Sequence, residues 1–218
     1  MKLSVIIVSY NTCPLTLQTV RSIMKAVGKK SPLHGDFEII VVDNDSQDKT
    51  VEKLEKLHLS HLKIINAHEN LGFGRANNLG FKYATGQVIL FLNSDTIVPA
   101  GSLEQVTQFC LDRFHAERGH KKRLGLVAMN LCNADGSIQP QGGDLPNLWT
   151  VAAAMFFLDD LPVLRRFIPS VQHTGRRFNP QTLVDREFVR KGWVGGTAVA
   201  VQRDICTDCG GWDPQIFM

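Results

Sequence analysis

The sequence predicts an α/β protein built on a mostly parallel sheet flanked by helices. Short β-branched apolar runs bounded by turn residues alternate with longer amphipathic stretches. The runs are apolar on both faces, as expected of strands covered by helices on either side. Polar clusters follow the runs directly, which is where an open α/β sheet binds its ligands. With 44% hydrophobic and 21% charged residues in 218, the composition suits one folded domain and excludes a disordered chain or a collagen-like repeat. A net charge of +3 gives no reason to expect a nucleic-acid partner.

Taken in order, the first run is Leu3 to Val8. It ends in polar residues rather than a small-residue cleavage site, so it predicts a strand and not a signal peptide. A helix follows from Pro14 to Val27, with proline in its first turn. Further strands are predicted at Phe37 to Val42, Leu62 to Ile65, Val88 to Leu92 and Leu124 to Met129. Helices are predicted between them at Lys49 to Leu57, Gly74 to Ala84 and Ser102 to Glu117. Asn133 to Gly136 reads as a hairpin turn, residues 140 to 185 as proline-punctuated short helices and loops, and Trp193 to Val201 as a last strand before a short helix from Asp204. Residues 1 to 130 thus form a ligand-binding half and 131 to 218 a less regular second half of a single domain.

Several features bear on chemistry. VVDNDSQDKT at 41 to 50 places Asp43 at a strand end, where it can accept hydrogen bonds from a nucleobase or ribose; the structural alternative is an Asx turn, with Asp48 capping the next helix. FLNSDT at 91 to 96 puts Asn93 and Asp95 beyond a buried strand, a place suited to Mg or Mn shared with substrate phosphates, or to an ordinary turn. NLGFGRANNLG at 70 to 80 is no dinucleotide fingerprint: Asn77 replaces the third glycine and the segment follows the third strand, which disfavours an oxidoreductase. Arg75 there can pair with a phosphate, and Asn77 and Asn78 can bond a sugar or the backbone. Cys206 and Cys209 form a CxxC without a second ligand pair, so they read as helix cysteines rather than a zinc or redox site, and the five cysteines fit a reducing cytoplasm. The apolar run Trp149 to Leu158 is too short to cross a membrane. Followed by Arg165, Arg166, Arg176 and Arg177, it can rest on the inner face of a membrane or pack on the sheet.

Together, SYN at 9 to 11, VVDNDSQD at 41 to 48, NLGFGRANN at 70 to 78, FLNSDT at 91 to 96, DGSIQPQGG at 135 to 143, WVGGTAVAV at 193 to 201 and GGWDPQIFM at 210 to 218 resemble the family 2 glycosyltransferases, in particular the rhamnosyltransferase-like branch. The resemblance implies a GT-A fold, a nucleotide-diphosphate sugar of the UDP or dTDP type, Mg or Mn, and inverting transfer to a hydroxyl of a glycan or lipid-linked acceptor in cell-wall or other surface polysaccharide synthesis. It implies that Asp43 recognises the base, that Ser9, Asn11, Asn44, Arg75, Asn77 and Asn93 line the donor cleft, and that Asp95 ligates the metal, with Asn93 standing where a second carboxylate is found in relatives. Trp193 and Gly196 match the strand facing donor and acceptor, with Thr197 where alanine is common. The family's catalytic Asp, in a Glu-Asp motif, is expected beyond Met218, and Asp213 matches the preceding GGxD. Two other readings of the residues are a non-catalytic nucleotide-sugar binding module and a sugar nucleotidyltransferase; the loop after the first strand lacks the glycine and cation that the latter would want.

Overall fold

In the computed structural model, residues 1–116, 124–158 and 188–217 and the single positions 161, 163, 167 and 181 are described. The elements run β1 (Leu3–Ser9), α1 (Cys13–Ala26), β2 (Phe37–Asp43), α2 (Thr50–Glu55), β3 (Leu62–Asn66), α3 (Gly72–Tyr83), β4 (Val88–Asn93), α4 (Ser102–Ala116), β5 (Leu126–Ala128), α5 (Leu148–Met155), β6 (Ala198–Gln202) and α6 (Arg203–Asp208). Two units emerge: Met1–Val127 with Gly196–Met218, and Ala128–Gly195.

The sheet has the order β3-β2-β1-β4-β6-β5. β1, β2, β3 and β4 are parallel, and β6 returns antiparallel beside β4. The mostly parallel sheet flanked by helices is therefore the architecture that the apolar runs predicted. In β2 all seven residues are buried, because helices cover both faces of a central strand. α3 lies so close over the sheet at Gly80 that a Cβ there would come within 2.6 Å of Ile6 Cγ2 and 3.1 Å of Val42 Cγ2. Ile6, Ile40, Val42, Ala76, Ile89 and Phe91 form the core beneath it.

One charged residue is built into this apolar sheet. Glu38, buried in β2, accepts hydrogen bonds at Oε1 from Ser4 Oγ (2.7 Å) and from the Thr85 amide and hydroxyl (both 2.6 Å), while Lys63 Nζ meets Oε2 at 2.7 Å. Burial by itself raises the carboxyl pKa, but the bonds from Lys63, Thr85 and Ser4 outweigh it and hold the group down at about 2. The network fastens the start of β1, the start of β2 and the α3–β4 turn together at the amino end of the sheet.

Three expectations are revised. The last strand begins at Ala198 rather than Trp193: Gly195 and Gly196 interrupt the run, and Trp193 instead makes an isolated antiparallel bridge with Gly143 in the second unit. α3 starts at Gly72, two residues before the predicted position, because Gly72 can take φ +73° at the entry to the helix. Asp48 is not the N-cap of α2, a place taken by Lys49 at φ +62° without a side-chain cap bond: it accepts from Thr50 Oγ1 at 2.5 Å and from the Cys13 amide at 2.8 Å, so it serves the first amide of α1 instead. Burial acts to raise the Asp48 carboxyl, and the bonds from Thr50 and Cys13 pull it below its ordinary value. The 133 to 136 turn does close a short hairpin, with Cys132 bridging Ile138.

Trp149 to Leu158 falls largely on α5, whose Asn147 and Thr150 form a reciprocal capping box. Among the described residues no helix is long and apolar enough to cross a membrane. Arg165, Arg166, Arg176 and Arg177 lie outside the described residues. Cys206 is buried on α6 and burial pushes its thiol up to about 11, whereas Cys209 is exposed and follows the last residue of that helix.

Candidate functional site

Parallel pairing brings the ends of three strands to one edge. Ser9 is opposite Asp43 and Val8 is opposite Asn93, so β2, β1 and β4 finish side by side with their polar residues emerging together. The connections after β1 and β2 lead to the β3 side of the sheet, while β4 lies on the other side of β1. This reversal of strand order is where open α/β sheets form a ligand crevice.

The loops leaving these strands are tied to one another. The Asn11 amide, at φ +53°, donates to Ser46 Oγ (2.9 Å), and Asn11 Oδ1 accepts from the Gln47 amide (2.8 Å). Asn44 Oδ1 accepts from the Leu71 amide (2.9 Å) and Asn44 Nδ2 donates to Asn70 Oδ1 (2.7 Å), which also receives the Gly72 amide (3.0 Å). Asn44 thereby fastens the residue next to Asp43 onto the start of α3. Thr12 Oγ1 lies 3.1 Å from Ser94 Oγ, joining the β1 loop to the β4 loop.

Within this frame Asp43 stands apart. It is buried, its Oδ2 accepts the Ser46 amide at 2.9 Å, and its Oδ1 is buried with no hydrogen-bond partner among the described residues. A buried carboxylate oxygen left without a donor costs free energy, about 1 to 3 kcal/mol or more for a charged group, unless a ligand supplies the donor. Asp95 is different: it is exposed, and its carboxylate makes no hydrogen bond among the described residues. Arg75 is exposed in the first turn of α3, five residues after Asn70 of that clamp.

The other predicted site residues are placed as follows. Ser9 is buried, 2.8 Å from Thr16 Oγ1 and 3.2 Å from Thr12 Oγ1. Asn77 is buried and donates to the Phe73 carbonyl in its own helix at 2.9 Å. Asn93 ends β4, where its amide bonds to the Thr197 carbonyl at 2.9 Å. Gly196 lies under an aromatic ring: a Cβ there would approach Trp212 Cη2 to 3.3 Å. Trp193 is held in the second unit by its bridge to Gly143.

Asn78, read from the sequence as able to bond a sugar or the backbone, bonds backbone, and a row of hydroxyls along α1 was not singled out from the sequence. Asn78 grips the Trp212 backbone from both sides, accepting its amide at 2.8 Å and donating to its carbonyl at 2.7 Å, and so fixes the Trp212 ring edge-on to Phe73 and Phe91. The hydroxyls of Thr12, Thr16, Thr19 and Ser22 recur at intervals of three or four residues, which puts them on one side of α1. That periodicity was available in the sequence as a row of hydroxyl side chains at helical spacing.

The model of the family described as Glycosyl transferase family 2 matches residues 4–115, just over half of the chain. The chain belongs to that family. The glycosyltransferase match contains Ser9, Asn11, Asp43, Asn44, Arg75, Asn77, Asn93 and Asp95, while Trp193 and Gly196 lie outside it. The poly(ribitol-phosphate) beta-N-acetylglucosaminyltransferase TarS of Staphylococcus aureus is 31% identical over 119 residues, covering 54% of this chain and 20% of TarS. WfgD of Escherichia coli, a UDP-Glc:alpha-D-GlcNAc-diphosphoundecaprenol beta-1,3-glucosyltransferase, is 33% identical over 101 residues, covering 46% of this chain and 38% of WfgD. The chain thus spans well under half the length of either relative. The crystal structure of TarS 1-349 with UDP-GlcNAc superposes with a TM-score of 0.53 at 26% identity over 65% of this chain and 38% of that one. Another crystal structure of TarS 1-349 matches all of this chain and 52% of its own length with a TM-score of 0.61 at 17% identity, which establishes the shared GT-A architecture.

Proposed function

We propose that this glycosyltransferase transfers a hexosyl or rhamnosyl group, with inversion, from a UDP or dTDP sugar to a hydroxyl of a surface glycan or its lipid-linked precursor. The observation that supports the donor assignment best is the buried, unpartnered Oδ1 of Asp43 at the strand-end crevice. It is suited to accept the ring N–H of uracil or thymine, a donor that would complete its hydrogen bonding. Asn11, Arg75, Asn93 and Asp95 would face the rest of the nucleotide, and Ser9, Asn44 and Asn77, already engaged in internal hydrogen bonds, would shape the cleft. The acceptor side would include Trp193 and Gly196.

Among the described residues no three His, Cys, Asp or Glu side chains converge into a closed cation cage. One exposed carboxylate beyond a strand end nevertheless fits Mg or Mn, which bind through one or two carboxylates together with substrate phosphates and water. Asp95 would hold the ion, which would neutralise charge on the departing diphosphate. Arg75 would contribute a second positive charge on the same leaving group. In the transfer, the acceptor oxygen forms a bond to the anomeric carbon as the bond from that carbon to the diphosphate oxygen breaks, and the hydroxyl proton passes to a base. Asp213 is not assigned that role: it is exposed, and its Oδ1 accepts the Gln215 amide at 2.9 Å as a turn residue does.

A panel of sugar nucleotides screened by thermal shift with Mn present tests the donor assignment. A ligand at 100 times its Kd adds about 2.7 kcal/mol of stability. A shift with UDP or dTDP sugars and none with the other nucleotide sugars is the expected result; no shift with any of them would refute it.

We also propose a cytoplasmic enzyme in peripheral contact with the inner membrane face. Leu148, Phe156 and Phe157 on and after α5 are 89%, 73% and 71% exposed, and the sequence that follows adds Arg165 and Arg166. Apolar and aromatic groups beside arginines bind anionic lipid surfaces. The enzyme should sediment with anionic vesicles at low salt, less at high salt, and less again as Phe156→Ser/Phe157→Ser. Sedimentation indifferent to lipid charge and to both substitutions would reject this placement.

A further inference from the structure

The turn that carries Asp95 is fastened to α1 at points on both sides of that residue. Thr19, fully buried, has its Oγ1 2.8 Å from the Ser94 carbonyl oxygen and 2.8 Å from the Thr96 carbonyl oxygen. One hydroxyl proton is therefore shared between the two carbonyls that flank Asp95. Ser22 continues the attachment, its Oγ accepting the Val98 amide at 3.0 Å while it donates to the Thr19 carbonyl at 2.7 Å. Thr12 reaches Ser94 Oγ, the Thr96 hydroxyl closes back on the Asn93 carbonyl at 2.8 Å, and the Asn93 amide bonds to Thr197. Residues 93, 94, 96 and 98 are thus all held, and the side chain of Asp95 projects from the middle of the fixed segment without a hydrogen bond of its own among the described residues.

Such an arrangement is more than packing requires. A turn needs its carbonyls satisfied, and water does that at an exposed position. Here a buried threonine on another element satisfies two carbonyls two residues apart, which removes backbone freedom at the residue between them. For a carboxylate that must meet a cation already bound to a flexible diphosphate, fixing the backbone beforehand lowers the ordering cost of binding.

We propose that Thr19 is a positioning residue for the site at which Asp95 receives the divalent cation and the donor diphosphate. The inference rests on the assignment of Asp95 made above. Its effect passes through the backbone of Ser94 and Thr96, so it is expected in the metal-dependent part of nucleotide binding and not in contacts to the base. Groups that orient metal ligands from outside the coordination shell typically change metal affinity 10- to 100-fold when removed.

The test is calorimetric titration of UDP into the whole chain with Mn and with EDTA, for wild type, Thr19→Val, Thr19→Ser and Asp95→Ala. In wild type Mn should tighten UDP binding, and in Asp95→Ala that gain should vanish. In Thr19→Val the gain should fall about 10-fold with the affinity in EDTA unchanged, and Thr19→Ser, which keeps the hydroxyl, should restore it. Should Thr19→Val fail to fold, Thr19→Ala, which leaves space for a water between the carbonyls, gives the same comparison with a smaller loss. If Asp95→Ala loses the gain and the Thr19 variants keep it in full, the positioning role is wrong while the Asp95 assignment stands. If Asp95→Ala keeps the gain, both fall together.

Discussion

Glu38→Gln is expected to lose about 3 kcal/mol of stability at pH 7, most of which disappears in acid. The Glu38 carboxyl sits at about 2 in the folded protein against an ordinary 4.5, although burial acts the other way, because Lys63, Thr85 and Ser4 all donate to it. A carboxyl whose folded pKa is depressed contributes stability that is fully present above the unfolded value and is lost as the pH falls through the folded one. The window is therefore pH 4.5 down to 2, and the difference between wild type and Glu38→Gln should be more than halved by pH 3. Urea unfolding of both proteins across this range measures it directly. A gap at pH 7 below about 1 kcal/mol, or one that does not shrink in acid, would show that the charged network adds nothing beyond neutral hydrogen bonds.

Asp43→Ala should weaken UDP binding in the presence of Mn by at least about 10-fold, the effect of removing a buried hydrogen bond to a charged acceptor, which is worth about 1.5 to 3 kcal/mol. The free Oδ1 would be satisfied in the complex, so its removal costs the complex more than the empty protein. The Ser46 amide loses its acceptor in both states, which lowers stability without changing this comparison. Binding should be measured well below the melting temperature of the variant. Asp43→Asn provides a finer test, since an amide that turns its oxygen to the base must turn its NH2 to the Ser46 amide. It too should bind UDP more weakly than wild type, and wild-type affinity in Asp43→Ala would remove Asp43 from the nucleotide site.

The sheet was legible because each strand is a short β-branched run whose neighbours are turn residues, a pattern set by burial on both faces. The polar ends of β1, β2 and β4 were legible for the same reason: Ser9, Asp43 and Asn93 are where the apolar runs stop. What the residues do there was not. Asp43 and Asp45 have the same side chain and stand two apart, yet Asp43 is buried with an unpaired oxygen and Asp45 is exposed at φ +68°. That difference comes from pairing with β1, 34 residues away in sequence. The Asn78 grip on Trp212 spans 134 residues and leaves no local signal. Trp193 misled because an aromatic β-branched run reads as strand, while the two glycines inside it break the pairing. Glu38 inside an apolar strand was the anomaly that called for an explanation, and four donors from three other segments supply it.

If the Oδ1 of Asp43, without a partner among the described residues, reads the base of the donor, then UDP and CDP competing for the protein in Mn should bind unequally. The two share ribose and diphosphate, so any contact that Arg75 and Asp95 would make is common to both. They differ at N3, which carries a hydrogen in uracil and only a lone pair in cytosine, and at C4, a carbonyl in uracil and an amino group in cytosine, so only uracil offers Oδ1 a donor at N3. A lone pair directed at a buried carboxylate leaves both groups unsatisfied, and sites built around a substrate hydrogen bond reject analogues that lack it. UDP should bind at least about 10-fold more tightly than CDP and Asp43→Ala should remove the preference, whereas equal affinities for UDP and CDP in the wild-type protein would exclude Asp43 as the reader of the base.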